Sequence, residues 1–398
     1  MTHLRFLAIF SVSFSLISAV ACSEQTALVT DRLAPHAVLD SVPLVVLGSE
    51  TDPIHNVAGA LFIGDTLVLT DRSTFTLRFY DRASGHRLRV VGGQGEGPGE
   101  FLSIGRPQRA AGRLYVWDSR LVRLTTFTFD GDLQGSVRIV PIEPYPAANV
   151  VGVFEDGSSL VALTEPFDVA SRVLEPTIQR RLGVLARYDT EGRFVDSLGT
   201  YRLSERYVEP YGHGGERGGG LPMFGRRSAV GAMAEQYYVL DNIESGIEVF
   251  SASGMHMGAL GPNVALPKVN VTNADLEQGK LRVSAVVRSA YDAGYIRTPQ
   301  YFPWYGWSGR RFLSPMTVAA ANELWILNYG GVRSSGPVWS VYSPDGMELG
   351  LVASPDEVRI LASDGRFAAV LNWGEFDVER VEVREIVQQN VGRVRDVR

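Results

Sequence analysis

One five-residue pattern of apolar and polar positions returns along the chain: alternating apolar or aromatic side chains closed by Asp, Glu or Asn. It stands at residues 67–71 (LVLTD), 114–118 (LYVWD), 161–165 (VALTE), 237–241 (YYVLD), 324–328 (LWILN) and 368–372 (AAVLN). Alternation with β-branched and aromatic content predicts strands. After the first five copies a second strand ends in an aromatic residue, a small polar residue and a turn glycine. These ends are Tyr80-Asp81 before Gly85, Phe129-Asp130 before Gly131, Tyr188-Asp189 before Gly192, Phe250-Ser251 before Gly254 and Tyr342-Ser343 before Gly346. An outer strand follows each turn, as at 86–91 and 193–198, whereas the last copy runs through 378–387 without a glycine turn.

Strand, strand, turn, strand, repeated at intervals of about 45 residues or more, is the signature of propeller blades. The expected fold class is all-β: a six-bladed β-propeller over residues 37–387, closed by an amino-terminal strand and carrying one inserted helix. The last blade is one strand short. Residues 42–47 (VPLVVL) are expected to supply that strand, and Pro43 suits an edge strand or the first residues of one.

Between two strand-like runs lies VVGGQGEGPGEF, residues 90–101, with five glycines in twelve positions. It reads as a tight crossover from one blade to the next, with Phe101 returning an apolar anchor to the core. A phosphate cradle fits poorly. Glu100-Phe101 stand where a P-loop needs Lys and Ser/Thr, and Pro98 occupies the third glycine of the dinucleotide fingerprint.

This loop, with LYVWD at 114–118 and FTFDG at 127–131, resembles one full NHL repeat of the six-bladed propellers, roughly a tenth of the chain. The wider repeat skeleton is similar to that of bacterial envelope proteins described as six-bladed β-propellers, most of them without an assigned activity. The resemblance implies a binding or scaffolding module. Six-bladed propellers also host metal-dependent hydrolases and lactonases, so that class stays open. Amidating lyases resembling NHL proteins use histidine ligands, and beyond the signal segment and His36 only His55, His86, His213 and His256 remain.

The spacing stretches between the third and fifth copies, which places two insertions there. The first, 201–227, is expected to be too glycine-rich to pack as an element, and it holds His213. The second, 263–309, is expected to form one helix over 272–290, with Thr272 and Asp275 as a capping box and Leu276, Val283, Val286 and Val287 on one face. After it comes YIRTPQYFPWYGW, six aromatics in thirteen residues. Tyr301, Trp304, Tyr305 and Trp307, with His213, are the candidate ligand-binding residues, since function on a scaffold usually sits in loops. The ligand class, whether protein, peptide or carbohydrate, stays open.

The Asp, Glu or Asn closing each repeat pattern has two readings. A ring of such groups could hold a divalent cation, with Glu165, Asp241 and Asn328 as metal ligands beside His213. One per blade is also what a structural role predicts, the side chain capping loop amides, and no cofactor is required by that reading. No catalytic residue is expected from it.

The chain has 398 residues and a formal net charge of −6, and nearly all its basic residues are arginine, with only Lys268 and Lys280 as lysines. An acidic balance without a basic face argues against nucleic acid as partner. Arg180-Arg181, Arg226-Arg227 and Arg310-Arg311 read as solvated or carboxylate-paired surface pairs. Residues 1–21 read as a signal peptide, with Ala19-Val20-Ala21 as a small-residue cleavage site. Cys22, the chain's single cysteine, follows directly and resembles a lipobox cysteine, with Ala19 departing from the usual leucine. The resemblance implies lipidation at Cys22, a tether over 22–36, membrane attachment and an address at the cell envelope, on the outer membrane or its periplasmic face; cleavage alone would give a secreted protein. Residues 388–398 form a polar, basic tail.

Overall fold

The computed structural model describes residues 36–164, 175–210, 219–242, 246–261, 270–281, 283–301, 316–319, 323–328, 337–354, 358–373 and 378–389. Two short strands come first, β1 (Ala37–Leu39) and β2 (Val45–Leu47). The first sheet is β3 (Val57–Ile63), β4 (Thr66–Asp71), β5 (Thr76–Asp81) and β6 (Arg87–Gly92). The second is β7 (Pro107–Ala110), β8 (Arg113–Asp118), β9 (Arg123–Phe127) and β10 (Leu133–Arg138). The third has β11 (Ala147–Val153) and β12 (Ser159–Thr164), then an excursion through β13 (Thr177–Gln179), then β14 (Leu182–Tyr188) and β15 (Phe194–Arg202).

After β16 (Arg206–Val208) and β17 (Gly219–Gly220) the fourth sheet follows: β18 (Ser228–Met233), β19 (Gln236–Asp241), β20 (Ile247–Ser251) and β21 (His256–Leu260). Two helices precede the remaining strands, α1 (Asn273–Lys280) and α2 (Ala285–Asp292). The strands are β22 (Met316–Ala319), β23 (Glu323–Asn328), β24 (Val338–Tyr342) and β25 (Glu348–Ala353), then β26 (Arg359–Ser363), β27 (Phe367–Trp373) and β28 (Glu379–Gln388). All consecutive pairs within these sheets are antiparallel.

The repeated pentapeptides fall on the second strand of each sheet, flanked by strands on both sides, which is why their apolar residues are buried so completely. The cores lie between successive sheets. Val68 and Phe79 meet Leu114 and Phe127, and Trp117 meets Val161 and Tyr188. Leu160 meets Tyr237, Tyr238 meets Leu324 and Tyr342, and Trp325 meets Val370. Leu371 and Val381 then return to Leu67 and Leu69 of the first sheet. First strands neighbour one another in the same order: β3 beside β7, β7 beside β11, β11 beside β18, β18 beside β22, β22 beside β26, and β26 beside β3. Sheets set radially about a ring of first strands make a β-propeller.

The amino-terminal segment pairs with the last strand. β2 runs antiparallel to β28, with Val45 opposite Val383 and Leu47 opposite Val381. The expected strand over 42–47 is shorter than its sequence: Val42 and Leu44 are exposed, and pairing starts beyond Pro43. β1 had no sequence signal. It lies antiparallel to β28 and parallel to β25, joining two sheets into one of nine strands.

The glycine-rich crossover turns its amides inward. Gly93 N–H donates to Phe75 O (3.0 Å), Phe101 N–H to Gly93 O (2.8 Å) and Gly97 N–H to a Glu100 carboxylate oxygen (2.9 Å). The Arg123 guanidinium binds the carbonyls of Glu96, Gly97 and Glu100. Gly92 has φ +94°, and a Cβ there would lie 2.9 Å from Phe75 O, so only glycine fits. Phe101 is fully buried against Phe127. Amides already engaged, and a carboxylate among them, leave no cradle for phosphate.

Two expectations about the insertions are corrected. The described parts of 201–227, on either side of 211–218, do pack: β16 lies between β13 and β17 in a three-stranded sheet, and Tyr207, Met223 and Phe224 are buried. The single helix over 272–290 is instead two helices. Thr272 and Asp275 form the capping box of α1 as their spacing predicts. Ser284 then interrupts the run, its hydroxyl accepting from Val287 N–H (3.4 Å) as the cap of α2. Gly279 sits in α1 because Met223 Sδ occupies the space a Cβ would need.

Candidate functional site at the mouth of the inner ring

The insertions meet. Tyr207, Met223 and Phe224 from the first share one core with Val283, Val287, Ala290, Tyr291 and Ile296 from the second, with Ile178 of β13 packed against it. Met223 N–H donates to Tyr291 Oη (3.2 Å). Three connections supply this inserted layer: β12 to β14, β15 to β18, and β21 to β22. Antiparallel order puts all three at the end where the second strands finish and the first strands begin, the mouth of the inner ring.

Apart from Glu165, which lies outside the described residues, the residues closing the repeat pattern sit at that end and divide into two behaviours. Asp71 and Asp118 are fully buried and cap their own loops. Asp118 accepts from Leu102, Ser103, Arg120 and Leu121 N–H at 2.7–3.0 Å. Asp71 accepts from Ser73 N–H (2.8 Å) and pairs with Arg78 (2.8 Å). Asn372 accepts from Trp373 N–H and donates to Glu382. Asn328 exchanges hydrogen bonds with Ser340 Oγ at 2.9 and 3.3 Å. Asp241 breaks the series. It pairs with Arg180 (2.6 Å), which comes from the connection between β12 and β14 and also donates to Ser228 Oγ and Leu203 O. The fourth sheet's repeat acid thus fastens the inserted layer to the ring.

Of the other candidate residues, Tyr301 is 37% exposed, beside the bridge it makes to Asn270. Trp304, Tyr305, Trp307, His213, Glu165 and Cys22 lie outside the described residues. Among the described residues no three His, Cys, Asp or Glu side chains converge in a metal-binding group.

The mouth is rich in arginine: Arg180 and Arg226 are carboxylate-paired, with Asp241 (2.6 Å) and Glu205 (3.7 Å), as one of the expected alternatives had it, whereas the burial of Arg180 and Arg227 was not expected. Arg180 is nearly buried, and burial pulls the Arg227 guanidinium down to about 10 against the partly offsetting charges of Tyr291 and Glu205. Arg227 donates to Pro222 O (2.7 Å) while its backbone N–H donates to the buried Asn242 (2.7 Å). Burial likewise raises Tyr291 to about 12. Arg359, opening β26, donates to Val57 O (2.7 Å) at the start of β3. Arg106, immediately before β7, lies on the other side of β3. A Cβ on Gly59 would come within 2.5 Å of Arg106 Cβ, so a glycine is needed where these first strands approach. No sequence pattern marked Arg106; its place at the start of a first strand is visible only once the ring is assembled.

No family model matches the chain, and no curated protein matches it. Among solved structures it is similar to a Bacteroides fragilis protein named as a candidate exported protein, at 9% identity and TM-score 0.47, covering 90% of this chain and 98% of that one. It is similar to regucalcin of Agrobacterium tumefaciens, titled a calcium-binding protein, at 10% identity and TM-score 0.41, covering 90% and 96%. It is also similar to BamB of Moraxella catarrhalis, at 11% identity and TM-score 0.34, covering 89% and 95%.

Proposed function

We propose that the chain is an envelope-anchored, six-bladed propeller that binds a ligand at the mouth of its inner ring, beneath the inserted layer. The observation that carries this reading is the broken symmetry at Asp241. In the first and second sheets the repeat acid serves its own loop; in the fourth it holds a layer assembled from three separate connections. Scaffolds elaborate in this way where they recognise something. Six blades are supported by the cyclic order of first strands and by cores between successive sheets that return to the first. Anchoring rests on Cys22 at the end of a signal-like segment.

Binding is favoured over the cation-centred hydrolase because two of that reading's ligands are engaged: Asp241 with Arg180, and Asn328 with Ser340. Trp304, Tyr305 and Trp307 extend the proposal as stacking surfaces contributed by the same insertion.

Purified protein is screened by thermal shift against small sugars, peptides and organic acids, and assayed on lactones with and without Ca²⁺. The expected result is saturable stabilisation without turnover, lost in Trp304→Ala/Trp307→Ala and retained in Asp118→Asn. Cation-dependent turnover that Asp241→Asn abolishes would overturn the reading. Cell fractionation of Cys22→Ser should move the protein from membranes to the soluble fraction; a wild type already soluble would remove the anchor.

A further inference from the structure

Among the described residues the buried and part-buried arginines have partners, with the part-buried Arg106 as the exception. Arg78 meets Asp52 and Asp71, Arg180 meets Asp241, Arg384 meets Glu382, and Arg359 and Arg227 reach main-chain carbonyls. Arg106 has neither an ion pair nor a hydrogen bond to any of the described residues. Its side chain keeps partial contact with solvent, yet it is so encased in protein that loss of water alone draws its pKa below the ordinary arginine value, with no acid contributing. Arg106 stands immediately before β7, at the mouth end of a first strand that neighbours β3, and so beside the inner ring rather than on the outer face of a sheet.

Its neighbours fit that placement. The stem is pressed against Gly59 of β3, while at the start of that strand Val57 is held by Arg359 on its carbonyl (2.7 Å) and by the Glu379 carboxylate on its N–H (2.8 Å). First strands approach closely elsewhere in the ring as well, as where Gly152 of β11 faces Ala232 of β18. First strands packed this closely favour a small group beside Arg106 over the body of a macromolecule. A guanidinium held in protein without a counter-charge is costly, and its planar fork of donors matches an oxyanion with two parallel hydrogen bonds.

We propose that Arg106 anchors an oxyanion site at the mouth of the inner ring, taking the carboxylate or phosphate group of a small ligand. The proposal rests on the reading of this end as a binding site and names the chemistry it accepts. Arg106 supplies the bidentate contact, and the inserted layer faces whatever the anionic group carries.

The test is calorimetric titration of the full mature chain with succinate and with inorganic phosphate, at ionic strength held constant with sodium chloride. Wild type should bind one of them saturably. Arg106→Gln should weaken binding at least tenfold and raise the melting temperature of the unliganded protein, since an uncompensated charge is removed. Arg106→Lys, which keeps the charge but loses the fork, should fall between. Arg120→Gln, an exposed arginine at the same end, should bind as wild type does. Tighter binding of succinate identifies a carboxylate ligand, and tighter binding of phosphate a phosphorylated one. Equal affinity in wild type and Arg106→Gln overturns the proposal, as does absence of saturable binding of either anion. Should Arg106→Gln fail to fold, equal affinity in wild type and Arg106→Lys overturns it instead. The two readings fail separately: a neutral ligand bound in the screen with no anion bound keeps the binding module and removes the oxyanion anchor. Anion binding lost in Arg106→Gln alongside cation-dependent turnover keeps the anchor and removes the non-catalytic reading.

Discussion

The radial sheets and the inserted layer answer the same physical problem differently. In the sheets, each second strand is covered on both sides by neighbours close in sequence, and each core is shared with the next sheet around the ring. In the inserted layer, β16, β17 and the two helices build one small core from segments about 80 residues apart, and an ion pair between Arg180 and Asp241 fastens it to the ring. Local repetition makes a scaffold whose parts support one another in sequence. The layer depends on the scaffold to bring its pieces together, and it occupies the end where recognition is proposed. The comparison teaches that one repeat position can change employment: Asp118 caps a loop, while Asp241 holds an insertion.

The largest expected effect is on the scaffold as a whole. Burial raises Tyr80, Tyr237, Tyr238 and Tyr342 to about 12. For a group whose folded pKa lies above its unfolded value, the stabilisation is complete below the unfolded pKa and is lost as pH rises through the folded one. Stability should hold up to about pH 10, the ordinary tyrosine value, and collapse between there and about 12. Ultraviolet titration of tyrosine should coincide with loss of the far-ultraviolet circular dichroism signal. Ionisation of these tyrosines with the fold intact would show that they are not the buried links between sheets.

Removing residues 36–47 should come next. It uncovers β28 and deletes the buried Leu39, Val45 and Leu47. Each such side chain contributes roughly 1.5–3 kcal/mol, so the melting temperature should fall sharply, and the freed edge should promote aggregation. Unchanged stability would mean the ring does not need its amino-terminal strands.

Asp118→Ala sharpens the distinction between the two employments of the repeat acid. It leaves four main-chain N–H groups without their acceptor. At about 1 kcal/mol per group left unsatisfied, a loss of roughly 4 kcal/mol in chemical denaturation is expected. Asp241→Ala should cost less of the global stability and act mainly on the inserted layer, because its partner Arg180 belongs there. Equal global losses in the two variants would erase the distinction.

The sheets were legible in the sequence for a physical reason: strand alternation and turn glycines are local signals, and here they recur in register with the sheets. Val45–Leu47 was legible by elimination, since one sheet lacked a strand; β1 was not, because three residues pairing with two different strands leave no pattern. The inserted layer was half legible. The capping box at Thr272 marked a helix start, but the break at Ser284 depends on one hydroxyl taking an amide, and the burial of Tyr207, Met223 and Phe224 depends on contacts with Val287 and Tyr291 far along the chain. Asp71 and Asp118 could be assigned to loop capping from residue type. The diversion of Asp241 and the solitary position of Arg106 could not, because each is set by a partner, present or missing, supplied by another sheet.

Amide hydrogen exchange on the full chain, comparing wild type with Val287→Ala, tests most directly whether scaffold and inserted layer are distinct. Amides of β4, β8, β12, β19 and β27 should exchange only through global unfolding. Those of β16, β17 and α2 should exchange through a separate, lower-energy opening, made easier by roughly 1–3 kcal/mol when Val287 is truncated. Exchange in the second strands should be unchanged by that substitution. If Val287→Ala lowers protection by the same amount in both regions, the two form one cooperative unit, and the division between a self-supporting ring and a recognition layer set upon it is wrong.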